Sequence, residues 1–169
     1  NYYKDIKPAL VFTTDDNALK LLGLKISKKT PLVFGGINGN INKDYPWILD
    51  SMNVTGVLER PLIKRNIFQI KDTLNIKGKV LLILGDSTTS RSFYNEELTQ
   101  GNFLKKLEID IYISKDFSTW KKTIISSKQK GYSMLMIAGN QAMRDKNNNH
   151  IDKNTIINWI SSNSPLPSF

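Results

Sequence analysis

Residues 79–84 read Lys-Val-Leu-Leu-Ile-Leu, a near-continuous apolar run that suits a strand covered on both faces. A polar tip follows, Gly85-Asp86-Ser87-Thr88-Thr89, and then a helical pattern. The same grammar recurs. Leu10-Val11-Phe12 leads into Thr13-Thr14-Asp15-Asp16-Asn17, and Met134-Leu135-Met136-Ile137 leads into Ala138-Gly139-Asn140-Gln141. Strand, polar tip and helix in alternation specify an α/β fold with parallel strands and helices on both faces. The tips then fall at the carboxyl ends of the strands, where open sheets of this class hold ligands. Three tips of one kind predict a binding cleft made of loops.

The chain is 169 residues long, which fits one domain or two small lobes. It contains no cysteine, so disulfides, zinc–thiolate sites and thiol catalysis are excluded. No apolar run approaches the roughly 18 residues of a membrane span. No signal-peptide pattern opens the chain, and a first residue other than Met reads as a processed or trimmed start. The net charge is +9, but the lysines are spread along the chain in short pairs such as Lys28-Lys29, Lys105-Lys106 and Lys121-Lys122. That pattern reads as a solvated surface and not as a nucleic-acid patch.

Strands are expected at 10–14, 31–35, 54–58, 79–84, 109–113 and 133–137. The first three belong to one parallel sheet and the last three to another. Asp15-Asp16-Asn17 caps a helix that Gly23 stops, and residues 45–52 hold a short helix. Ile63, Ile67, Ile70 and Leu74 make one apolar helix face. A helix over 89–107 is open to interruption at Gly101. Asp116 or Ser118 caps a helix to about residue 130, and another covers 152–162. Residues 165–169 begin a further strand. Glu59-Arg60-Pro61 breaks the pattern and marks a boundary between lobes.

Several groups invite a chemical reading. Gly85-Asp86-Ser87 after an apolar strand resembles the nucleophile block of the SGNH (GDSL-type) hydrolases. A serine nucleophile needs a histidine base oriented by a third group. The single histidine, His150, follows Asn147-Asn148-Asn149, where that family has an acid; helix capping by Ser87 and Thr88 explains the same residues. Asp145, Asn147 and Asn149 have the spacing that opens an EF-hand loop. The closing glutamate is replaced by Ile156, so a polar turn before a helix is the better account. Gly35-Gly36-Ile37-Asn38-Gly39 lacks both the dinucleotide fingerprint and a Walker lysine. Trp47, Trp120 and Trp159 sit in amphipathic stretches and are expected in packing.

Three stretches, in order and spacing, resemble the ABC-transporter substrate-binding-protein-like family of periplasmic binding proteins. The nearer likeness is to its branch of sensor domains in bacterial histidine kinases and diguanylate cyclases. Thr14-Asp15-Asp16-Asn17-Ala18-Leu19 is similar to that branch's DDNAL. Pro31-Leu32-Val33-Phe34-Gly35-Gly36-Ile37-Asn38 is similar to PVVFCGVN, with glycine at 35 in place of cysteine. Asn53-Val54-Thr55-Gly56-Val57-Leu58-Glu59 is similar to NITGVVE.

The resemblance implies a two-lobed, type I binding-protein fold. Lobe one covers 1–58, crossings lie at 59–61 and 165–169, and lobe two covers 62–164. Family members carry a strand–helix unit before the first motif and return to lobe one after the second crossing, so lobe one is expected to be incomplete. The implied function is extracytoplasmic or periplasmic capture of a small, amino-acid-like ligand between lobes. It serves uptake with an ABC permease, or signalling with a membrane partner, without catalysis, cofactor, metal or nucleic acid. Thr14, Asp15 and Asp16 are expected to face Asp86, Ser87 and Thr88, with Asn38, Glu59 and Asn140 completing the site. Asp16 and Asp86 are assigned to a cationic ligand group, and helix N–H groups near Ser87 and Thr88 to an anionic one. The competing readings are a hydrolase using Ser87 and a non-catalytic intracellular regulatory domain.

Overall fold

The computed structural model describes residues 5–60, 62–98 and 102–169, and the chain separates into two compact units, Asn1–Pro61 and Leu62–Phe169. Pro61 of the expected break and the Gly101 interruption lie outside the described residues. Each unit holds one three-stranded parallel sheet.

Unit 1 contains β1 (Val11–Thr14), β2 (Leu32–Ile37) and β3 (Val54–Leu58), in that order across the sheet. Between β1 and β2 runs α1, residues 16–27. It is built from Asp16–Ala18, a π-helical Leu19–Gly23 and Leu24–Ser27. Gly23 therefore does not stop the helix. It is small because Trp47 lies against it: a methyl group there would come within 2.9 Å of Trp47 and of Leu19. Over 45–52, where a helix is expected, the chain makes only a 3-10 turn at Pro46–Ile48, preceded by a short helix, α2 (Ile41–Asp44). Asn40 caps α2 by accepting the Lys43 N–H.

Leu19, Leu32, Phe34, Ile37 and Tyr45 form the core of unit 1, on one face of its sheet. The expectation of helices on both faces fails here. No described helix of unit 1 packs on the opposite face, where the Phe12 ring lies over Gly35 and Phe12 is 61% and Val57 74% exposed.

Unit 2 contains α3 (Ile63–Thr73), β4 (Lys79–Gly85), α4 (Thr88–Phe93, continuing as a π-helical Tyr94–Leu98), α5 (Phe103–Lys106), β5 (Ile109–Ser114), α6 (Phe117–Ser126), β6 (Tyr132–Ala138) and α7 (Lys153–Asn163). The strand order is β5-β4-β6, all parallel. Here both faces are covered. Val80, Leu82 and Leu84 pack with Ile63, Ile67 and Phe93 on one side. Leu81, Ile83 and Leu135 pack with Trp120, Ile124 and Ile156 on the other. Leu74 departs from the expected helix face and is exposed. Residues 165–169 run parallel to β6, with hydrogen bonds from Leu135 N to the Pro167 carbonyl at 2.9 Å and from Ile137 N to the Phe169 carbonyl at 2.8 Å.

Candidate functional site

Because the strands are parallel, all carboxyl ends of a sheet lie at one of its edges. In unit 1 this edge carries Thr14, Asp15, Asp16, Asn38 and Glu59. Asp15 caps α1, its carboxylate accepting the N–H groups of Asn17 at 2.7 Å and Ala18 at 3.1 Å. It does so at φ 69°, a left-handed conformation that costs a non-glycine residue about 1–3 kcal/mol. Gly36, at φ 67°, bends β2 beside it; a methyl group on Gly36 would lie 3.7 Å from Asp15 N and 3.8 Å from a Glu59 carboxylate oxygen. Asn38 Nδ2 donates to that same Glu59 carboxylate at 3.2 Å, while Asn38 Oδ1 is buried without a hydrogen-bond partner among the described residues.

Asp16 plays a different part from the one assigned to it. Its side chain is 1% exposed, and its carboxylate accepts the N–H groups of Asn38 (3.1 Å) and Gly39 (3.0 Å) and the Tyr45 hydroxyl (2.8 Å). A carboxylate so enclosed has no face left for a cationic ligand group. It fixes the loop that presents Asn38. Burial, reinforced by the Asp16 carboxylate, pushes the Tyr45 hydroxyl well above its usual range.

In unit 2 the corresponding edge carries Asp86, Ser87, Thr88 and Asn140. Two glycines bring these loops together. A methyl group at Gly85 would sit 2.1 Å from the Gly139 carbonyl oxygen, and one at Gly139, where φ is 62°, 2.6 Å from Ser90 Oγ. Ser87 caps α4: its Oγ accepts the Ser90 N–H at 3.1 Å and donates to Ser90 Oγ at 3.0 Å. Asp86 is held by a neighbouring cation. Arg91 Nε and Nη2 donate to its two oxygens at 2.5 and 2.7 Å, and this bond holds the carboxyl below its usual range. The bidentate pairing offsets the charges of both groups. Asn140 borders a cavity of about 550 Å³ lined also by Ile137, Ser164, Ser168 and Phe169.

The tip after β5, Ser114-Lys115-Asp116, belongs to the same edge and was missed. Asp116 caps α6 by accepting the Ser118 N–H at 2.9 Å, and Lys115 contributes to holding the Asp86 carboxyl low. Its signal was present, since it is again a polar tip between strand and helix. The turn at 145–149 is closed by its own donors: the Asp145 carboxylate accepts N–H groups from Asn147 and Asn149, each at 2.8 Å. His150 Nε2 lies 3.0 Å from the Gln141 carbonyl. No hydrogen bond among the described residues joins it to Ser87.

No family model matches the chain, and comparison with curated proteins and with solved structures found no match.

Proposed function

We propose that the chain is a solute-binding domain that captures a small amino-acid-like molecule with the loops at the carboxyl ends of its strands, for uptake or for signalling outside the cytoplasm. The observation that carries this reading is the arrangement around Gly36. An exposed carboxylate, Glu59, meets the Asn38 amide and the Asp15 loop there, over a buried Asp16 that locks the loop in place. Glu59 suits a ligand ammonium group, and the buried Asn38 amide orients that carboxylate. Such groups at strand ends are the usual ligand contacts in sheets of this class. Ser87, committed to Ser90, serves the helix start.

A thermal-shift screen of amino acids and short peptides tests the reading. A ligand at a hundred times its Kd adds about 2.7 kcal/mol. For a chain of this size that is a rise of roughly 5–10 °C. Glu59→Gln, which changes an exposed group, should leave the apo melting temperature within about 1 °C while removing the ligand shift. A full ligand shift in Glu59→Gln places the ligand elsewhere.

A further inference from the structure

In the sequence the lysines are scattered; the fold of unit 2 gathers six of them. Parallel strands require that the turns entering β4, β5 and β6 all lie at the amino edge of the sheet. Each turn delivers two lysines: Lys77 and Lys79, Lys105 and Lys106, Lys128 and Lys130, all exposed. Lys71 ties the first two turns together, donating to the Gly78 carbonyl at 2.7 Å and the Leu107 carbonyl at 3.3 Å. Asp72, Glu108 and Asp110 share this rim, and Asp110 accepts the Tyr132 hydroxyl at 2.8 Å. None of the six lysines forms an ion pair with a described carboxylate. Leu74, 54% exposed, stands out from the first turn.

We propose that this rim docks on an anionic lipid surface. Its cations are all lysines, compact charges on flexible stems that suit a diffuse layer of headgroups. Guanidinium forks for bases, and free aromatic faces for stacking, are the marks of nucleic-acid sites. The six cations include no arginine, and the rim's aromatic, Tyr132, is engaged with Asp110. Leu74 adds an apolar tip that a headgroup layer accommodates and a nucleic acid does not use. The geometry also leaves the opposite edge open. β4 spans seven residues, so Asp86 and Ser87 lie about 20 Å from the rim along the strands.

Sedimentation of the full chain tests this, with vesicles of phosphatidylcholine alone and vesicles containing phosphatidylglycerol. The protein should pellet only with the anionic vesicles, and less as salt rises. Replacing all six rim lysines by Gln should lower partitioning by at least about a hundredfold. Replacing only Lys128 and Lys130 should lower it by about tenfold, which keeps the test decisive if the larger variant does not fold. A control carries the same loss of charge at exposed positions elsewhere: Lys20, Lys25, Lys43, Lys122, Lys146 and Lys153, each to Gln. It should retain most of the binding. Equal loss in control and rim variants overturns the proposal. So does failure of the unaltered chain to bind anionic vesicles, or binding to a DNA oligonucleotide in their place.

Discussion

β2 and β4 are both the central strand of a three-stranded parallel sheet, and they are buried in opposite ways. From Val80 to Gly85 every residue of β4 is buried, whereas β2 buries Leu32, Phe34 and Ile37 and leaves Val33, Gly35 and Gly36 at least partly open. The difference lies in what covers the sheets. Helices cover β4 on both faces; β2 has α1 and the Tyr45–Trp47 segment on one side and, among the described residues, only the Phe12 ring over Gly35 on the other. A central position in a parallel sheet therefore does not decide burial. Cover does, and composition records it: β4 has no small residue before Gly85, while β2 carries two glycines in its middle.

The largest expected effect follows directly. Leu82→Ala removes a fully buried side chain from a face packed by helices and should cost about 2–5 kcal/mol of unit 2's stability in chemical denaturation. Phe12→Ser, on the open face of unit 1, should change stability by no more than about 0.5 kcal/mol. A cost for Phe12→Ser comparable to that for Leu82→Ala would break the comparison.

Next in size is Asp16→Ala. It strands the N–H groups of Asn38 and Gly39 and the Tyr45 hydroxyl, and should destabilise unit 1 by about 3 kcal/mol while leaving amide exchange in β4 unchanged. A smaller effect is pH-dependent. The Tyr45 hydroxyl is raised in the folded state, so the unfolded chain loses that proton first as pH climbs past its usual value near 10. Its contribution is complete below that value and declines above it, and Tyr45→Phe should flatten the alkaline loss of unit 1 stability. Ser87→Ala should cost about 1 kcal/mol, the worth of a helix cap, measured as a modest fall in the unit 2 transition.

Much of the architecture was legible. Val54–Leu58 was delimited to the residue, and β4, β5 and β6 were each placed to within one residue, because apolar runs bounded by Gly, Asp and Ser carry both type and limits. Gly23 misled because helix-stopping and close packing both call for glycine, and only the position of Trp47 distinguishes them. Asp16 and Asp86 are ambiguous in the sequence for a related reason. A carboxylate at a strand end reads the same whether it awaits a ligand or is held by Tyr45 or Arg91, residues 29 and 5 positions away. The lysine rim was invisible for the opposite reason: its members are dispersed along the chain, and only the parallel return of three strands assembles them.

The claim that strand-end loops bind solute is tested most directly by amide hydrogen exchange across the whole chain, with and without a mixture of the twenty amino acids. The expected result is slowed exchange confined to the loops around Asp15, Gly36–Asn38 and Glu59, with no change on the open face at Phe12. Slowed exchange confined instead to α7 and residues 165–169, around the cavity beside Asn140, would contradict it, as would no change anywhere in the chain.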